Sequence, residues 1–246
     1  MDKDQMKFKE PLIPATLVKR YKRFLADVTF ADGEMVTAHC ANPGAMQGLN
    51  DPGIKVWLSK STNPKRKLAF SWELAEICFE GKKALVGINT MLPNKLATEA
   101  IEAQKIAELT GYDQLKTEKP YGQNSRIDIL LSATGKPDCY VEVKNVHLLR
   151  RHGLAEFPDS VTKRGAKHLE ELTQMVAQGH RAVMFYVIQR DDAAQFAIAA
   201  DKDPVYYETF EKARKAGVEV IAYDCTLSTT AIKIANRLRL IGPAVL

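Results

Sequence analysis

Two acids and a lysine stand where strand chemistry should be apolar. In Ser125 to Leu131 (SRIDILL) and in Cys139 to Val146 (CYVEVKNV), β-branched and apolar residues alternate with Asp128, Glu142 and Lys144. Ser132 to Asp138 between them holds Gly135 and Pro137, so the pattern predicts strand, turn, strand. Alternation puts Ile127, Ile129 and Leu131 on one face of the first strand and Cys139, Val141 and Val143 on one face of the second, with the charged residues opposite. A hairpin symmetric about Gly135 sets Asp128 against Glu142, with Cβ atoms about 5 Å apart. Like charges in that position need a proton, a cation or another register. A hard divalent cation is the natural answer: Mg²⁺ (or Mn²⁺) takes oxygen ligands and is usually held by one or two carboxylates plus phosphate oxygens. Asp128 and Glu142 are therefore the candidate metal ligands. Lys144, on the same side as Glu142, is placed to orient or deprotonate an attacking water or to balance phosphate charge, an arrangement for phosphodiester hydrolysis. The alternative is an ordinary charged solvent face.

A further acid and several cations need positioning. The pattern predicts a helix over 94–110, with Leu96, Ala100, Ala103 and Ala107 as its apolar stripe and Gly111 after its end. Glu99 borders that stripe, as a catalytic or metal-site acid or simply paired with a lysine or with backbone N–H groups. Two basic clusters, Lys19, Arg20, Lys22, Arg23 and Lys65, Arg66, Lys67, lie among Tyr21, Phe24, Trp57 and Trp72. The mix suits phosphate neutralisation with base stacking, although Phe24, Trp57 and Trp72 are expected in the core. A helix expected from about Ser160 carries Lys163 and Arg164 in its first turn and Lys167 and His168 one turn later. Cations there oppose the dipole unless a phosphate binds, or they are a solvated helix start with His168 packed beside Leu169 and Leu172.

The order Glu99 on a helix, Asp128 on a strand, then Glu142-Val143-Lys144 resembles the core of the PD-(D/E)xK phosphodiesterases. Longer segments are more specific: RYKRFLADV (20–28), HCAN (39–42), NPKRKL (63–68), VGINT (86–90), YGQNSRID (121–128), YVEVKNV (140–146), FPDSVT (157–162), RGAKHL (164–169) and GHRAV (179–183). Together these are similar, from end to end, to the sugar fermentation stimulation protein A family. The resemblance implies an N-terminal OB-type barrel joined to an α/β PD-(D/E)xK nuclease-like domain, sequence-independent DNA binding, and a regulatory role in maltose metabolism in bacteria. It departs in lacking a proline before Asp128, where Ile127 stands, and in reading Pro43-Gly44-Ala45-Met46 where relatives often have Thr-Gly-Ser-Met; the second weakens any contact of a loop hydroxyl with DNA.

The chain has 246 residues and a net charge of +5, enough for two modest domains. Residues 1–83 hold fourteen Lys and Arg against ten Asp and Glu, a balance of +4, and the remainder twenty-one against twenty, or +1. Short alternating runs up to about Ala84, broken by Asp32-Gly33, Asn42-Pro43-Gly44, Asp51-Pro52-Gly53 and Asn63-Pro64, predict a small all-β unit over 1–84. Over 85–246 the pattern becomes α/β, with helices at 159–178 and 204–215 and strands at 182–188 and 218–223. Leu85 to Thr90 suits a strand of either unit, and Thr229 to Leu240 a basic amphipathic helix touching DNA or another subunit. Cys40, Cys78, Cys139 and Cys225 show no paired motif and read as buried small hydrophobes. The apolar runs are short for a membrane span, and the opening Met1-Asp2-Lys3-Asp4-Gln5 leads into charge, so a cytoplasmic location without membrane partners is expected. DNA binding with or without metal-dependent cleavage are the two leading functions, RNA or nucleotide binding by the barrel is a third, and a homodimer is left open.

Overall fold

The computed structural model describes residues 5–122 and 125–243. Gln123 and Asn124 of the YGQNSRID segment, and Met1 to Asp4, lie outside the described residues.

Residue alternation builds the first unit. β1 (Met6–Lys7) is followed by β2 (Ile13–Tyr21), β3 (Leu25–Thr29), β4 (Met35–Cys40), β5 (Lys55–Lys60), β6 (Phe70–Phe79) and β7 (Lys82–Gly87). β2 to β7 form one sheet in the order β4-β3-β2-β5-β6-β7. A parallel pairing of β4 with β6, from Ala38↔Phe70 to Cys40↔Trp72, closes five of these strands into an OB barrel. Inward residues alternate as barrel strands require: Ala26 and Val28, Val56 and Leu58, and Trp72 are all fully buried. Trp72 thus packs in the core as expected, whereas Phe24 does not, being 46 % exposed at the barrel rim.

The second unit is a seven-stranded sheet in the order β1-β16-β15-β13-β10-β9-β8. Its strands are β8 (Gln114–Tyr121), β9 (Ser125–Ser132), β10 (Cys139–Val146), β13 (Arg181–Ile188), β15 (Glu219–Leu227) and β16 (Ala231–Arg237), together with β1 from the start of the chain. β10, β13 and β15 run parallel at its centre, and such strands are covered on both faces. On one face α1 (Pro93–Glu102) buries Leu96, Ala97, Ala100 and Ile101 against Ile129, Val141, Val143 and Phe185. On the other, α2 (Lys163–Ala177) and α3 (Pro204–Lys215) bury Leu169, Leu172, Tyr206 and Phe210 against Met184 and Tyr186. A small sheet of β11 (Leu148–Arg151), β12 (Leu154–Phe157), β14 (Gln195–Ile198) and β17 (Arg239–Leu240) lies beside it.

Several expectations are corrected. The helix expected over 94–110 stops at Glu102, because Gln104 turns left-handed (φ +58°) and a separate helical turn covers Ala107–Leu109. α2 begins at Lys163, with Thr162 as its cap accepting the Gly165 N–H. The 229–240 stretch is not a helix but β16 and β17: Ile232 and Ile234 are buried on either side of exposed Lys233, a period of two. Cys40, Cys139 and Cys225 are buried, whereas Cys78 is exposed.

The two units are joined by more than a covalent link. β7 ends the barrel sheet, yet Val86 bridges Arg190 and the Gly87 N–H donates to the Gln189 carbonyl at 2.8 Å. The division expected at 84/85 falls inside this strand. The barrel loop after β4 meets Asp159, whose carboxylate accepts the Met46 N–H at 3.4 Å and lies 3.3 Å from His147 Nε2. A methyl group on Gly44 would overlap Asp159 Oδ2, and that oxygen, held on the other side by His147, has little room to yield. Gly44→Ala should therefore lower stability by about 1–3 kcal/mol, as overpacking does; an unchanged urea midpoint would show that the loop contact is slack.

Candidate functional site

The hairpin register is the symmetric one. Leu131, Leu130 and Ile129 of β9 pair with Cys139, Tyr140 and Val141 of β10, and the next pair in that register is Asp128 with Glu142. There backbone pairing gives way to side-chain bonding: Asp128 Oδ2 accepts the Val143 N–H at 2.8 Å, and Oδ1 accepts from Asn94 Nδ2 on α1 at 2.7 Å. Asp128 thereby opens on a cleft of about 450 Å³ lined by Asn94, Lys95, Thr98 and Glu99 of α1 and by Thr117 and Glu118 of β8.

Glu142 sits deeper, 2 % exposed, and turns toward α2. Its Oε1 accepts from Lys144 Nζ at 2.6 Å and contacts His168 Nδ1, which lies 3.1 Å from the same ammonium. Arg164 Nε donates to His168 Nε2 at 3.2 Å, so a neutral imidazole carries its proton on Nδ1, facing Glu142. Among the described residues Glu142 Oε2 has no partner, and neither has Glu99 Oε2. Glu99 is otherwise paired only loosely, with Lys95 at 3.7 Å.

The carboxyls are driven apart in acidity. Burial and the neighbouring Glu142 push Asp128 up to about 6, against the Val143 N–H, Lys144 and Asn94. Burial also opposes the charge on Glu142, but Lys144 and His168 outweigh it and hold this carboxyl below the usual range. Glu99 is raised by burial, with Lys95 in opposition. Tyr121, whose hydroxyl is buried without a partner among the described residues, is raised by burial and then by Glu142, Glu171 and Asp128. Neighbouring carboxyls with separated pKa values are a common catalytic arrangement.

The structure therefore brings Glu99 and Asp128 to one cleft, joins Glu142 to Lys144 and His168, and couples the two halves through Asp128 and Glu142. The donor chemistry is of the kind a hard cation takes: among the described residues two carboxylate oxygens are buried without partners, and a third carboxyl is charged only at a cost. Among the described residues no group of three or more His, Cys, Asp or Glu side chains is placed to hold a metal ion. An ion here would complete its shell with water and substrate oxygens, as Mg²⁺ does.

The cations divide between surface and scaffold. Lys163 is exposed at the start of α2, and Lys167 reaches Ser125 Oγ at 3.2 Å and Glu171 at 3.5 Å. His168, placed among the phosphate contacts by sequence, is 4 % exposed and belongs to the interior of the site. On the barrel, Arg20 is tied to the carbonyls of Arg23, Asn42 and Gly44, and Lys19 faces Asp27 at 3.6 Å. Lys22, Arg23, Lys65 and Lys67 are exposed, and Arg66 donates to Ser71 Oγ at 2.7 Å. Sequence reasoning missed Asn94 as a partner of Asp128, and Glu171 and Tyr121 at the site. The Arg164/His168 spacing of one helical turn was the one available signal for the Glu142 contact.

An OB barrel fused to an α/β domain, with acids and a lysine where two central strands part, defines a protein of two-domain architecture. The SfsA N-terminal OB domain matches residues 18–88, and the sugar fermentation stimulation protein RE domain matches residues 91–231. The chain belongs to the sugar fermentation stimulation protein family. It is 56 % identical over 234 residues to the homolog of Maricaulis maris, covering 95 % of this chain and 98 % of that one. Identity is likewise 56 %, over 229 residues, with the homolog of Paramagnetospirillum magneticum, covering 93 % and 95 %. The structure of Pyrococcus furiosus SfsA in complex with Ca²⁺ superposes with a TM-score of 0.84 at 25 % identity, covering 96 % of this chain and 98 % of that one. No helix among the described residues is long and apolar enough to cross a membrane.

Because the native state raises Asp128 from an ordinary 3.8 to about 6, it holds this proton more tightly than the unfolded chain does. Stability from this group is full below pH 4 and is lost as pH rises through 6. In EDTA, the denaturant midpoint of Asp128→Asn should gain on that of wild type between pH 5 and pH 8. A constant difference across that range would show that Asp128 does not titrate there.

Proposed function

We propose that this protein binds DNA without sequence preference and hydrolyses phosphodiester bonds with a divalent metal ion held by Asp128 and Glu142. The observation that carries this reading is the pair of buried, mutually coupled carboxyls beside a lysine 2.6 Å from one of them. A domain evolved only to grip phosphate would gain affinity by losing acids that repel it. The Ca²⁺ complex of the Pyrococcus furiosus relative supports a cation in this fold.

In this reading Asp128 and Glu142 are the ligands, with Mg²⁺ or Mn²⁺ as the ion, and Glu99 acts through water from the edge of the cleft. The ion, when bound, polarises the phosphate and lowers the pKa of a water. Lys144 supplies a cation beside Glu142 that orients the water or offsets charge on the phosphate. His168 holds Oε1 of Glu142 and leaves Oε2 as the oxygen without a partner. Lys163, Arg164 and Lys167 put positive charge at the start of α2, where free N–H groups and the dipole also favour phosphate. The exposed barrel cations Lys22, Arg23, Lys65, Arg66 and Lys67 extend the path for the backbone, with Lys19 and Arg20 behind them.

The second reading is DNA binding without cleavage. It is favoured by the closed contact of Lys144 and His168 on Glu142, which neutralises that acid with no metal at all. A regulatory role in sugar metabolism draws its support from the names of the relatives, and no residue of the site bears on it.

Supercoiled DNA incubated with Mg²⁺, Mn²⁺ or EDTA separates the readings. Cleavage is expected with metal and is expected to fall by two or more orders of magnitude in Glu142→Ala and Lys144→Ala, about the scale of losing a general acid–base or electrostatic group. A band shift with no cleavage under either metal would overturn the hydrolytic reading and leave the binding module. Affinity should fall by about 10³–10⁵ between 50 and 200 mM salt for six to ten phosphate contacts; affinity indifferent to salt would remove DNA binding as well.

A further inference from the structure

The barrel carries an exposed aromatic side chain that packing does not explain. Phe24, 46 % exposed, is the last residue of the β2–β3 turn, directly before β3. Its ring lies nearly parallel to that of His39 on β4, with 6.4 Å between centroids and 14° between planes. The backbone beneath is fixed: Leu25 pairs with His39, and the Phe24 carbonyl accepts the Cys40 N–H at 2.8 Å. The pair is therefore a preformed surface of two flat rings on a rigid sheet.

Cations stand on both sides of it. Lys22 and Arg23 precede Phe24 in consecutive left-handed conformations, φ +49° and +62°, which non-glycine residues adopt at a cost. The turn is held by Arg20, whose Nε donates to the Arg23 carbonyl and whose guanidinium also binds the carbonyls of Asn42 and Gly44. Across β4, His39 pairs in parallel with Ser71, and Ser71 Oγ accepts from Arg66, which brings the basic Lys65–Lys67 loop to the same rim. The nearby acid on β3, Asp27, three residues after Phe24, is engaged by Thr37 at 2.7 Å, Tyr21 at 3.1 Å and Lys19 at 3.6 Å.

We propose that Phe24 and His39 form a stacking platform for an unpaired base, with Lys22, Arg23 and Arg66 on the flanking phosphates, so that the barrel takes single-stranded DNA. Flat rings inside a fence of cations match a polyanion that presents π-faces, and paired bases in a duplex present none. The inference rests on the reading that the protein binds DNA, and it deepens that reading by naming the form of DNA that the barrel engages.

The test is equilibrium binding in EDTA, where hydrolysis plays no part, of a fluorescein-labelled oligothymidylate of about a dozen nucleotides and of a duplex of the same length. Phe24→Ala should weaken single-strand binding by about 5- to 150-fold, the loss of one stacked base, and leave the salt slope and duplex affinity as they are. Phe24→Tyr should restore the single-strand affinity. Arg23→Ala should lower the salt slope by about one on the single strand. Phe24 is a rim residue, and an unchanged melting curve verifies the fold. Wild-type single-strand affinity retained in Phe24→Ala, or an equal loss on single strand and duplex, would overturn the platform. Strong preference for an RNA oligomer of the same sequence would overturn DNA as its ligand. Failure of the wild type to bind any DNA would instead sink the proposed function from which this inference starts.

Discussion

One buried charge organises the α/β domain. Glu142 lies on β10, between β9 and β13 in the middle of the sheet, at a position where a parallel strand is ordinarily apolar on both faces. An unpaired carboxylate there would cost several kcal/mol, or it would take up a proton. The chain answers with Lys144 from the same strand and His168 from α2, and both meet one oxygen. That contact requires α2 to lie close over β10, which the apolar residues Leu169 and Leu172 arrange. The close packing of α2 on α3 contributes as well: at Gly165 a Cβ would come within 3.0 Å of the Tyr206 ring. The second oxygen of Glu142 has no partner among the described residues.

The parting of β9 and β10 supplies the rest of the site. Backbone pairing ends at Val141↔Ile129, and the Val143 N–H is taken by the carboxylate of Asp128. A single side chain thus satisfies the strand's donor, reaches Asn94 on α1 and comes under the field of Glu142. Opposite shifts follow from placement alone, because Glu142 has two cationic or proton-donating partners while Asp128 has neutral donors and a like charge nearby. The surroundings of each carboxyl set its charge state.

Much of this was legible in the residues, where local chemistry and global fold agree. The Gly135-centred hairpin, the Asp128/Glu142 register, the barrel strands and the α2 and α3 helices follow from alternation, turn residues and helical period. Glu99 on the border of a helical stripe was legible for the same reason, as that border is the rim of the cleft. Failures have local causes. Gln104 carries no mark of its left-handed turn, so the α1 pattern ran on to 110. The stretch after Thr229 has alternate apolar residues that also suit a helix face, and only pairing with β15 and β14 decides for strands. Polar β8 lies at the edge of the sheet and has little apolar alternation to reveal it. His168 reads like its neighbours Lys163 and Lys167, because burial on the inner face of α2 is a tertiary fact.

The two proposed readings, hydrolysis and simple binding, would depend on the same atoms, and the difference between them would be a competition at Glu142. Lys144 and His168 offset the charge of this carboxylate, so on the proposed reading a cation is opposed by the ammonium and the imidazole N–H proton that it meets there. Against that stand the unpartnered Oε2, the unpartnered Oε2 of Glu99, and Asp128, whose ionised form burial penalises and a cation would favour. A phosphate brought to the start of α2 adds oxygen ligands for the ion and an acceptor for the displaced ammonium. Metal and nucleic acid should then bind with positive coupling, since each provides a partner for a group that the other would leave unsatisfied.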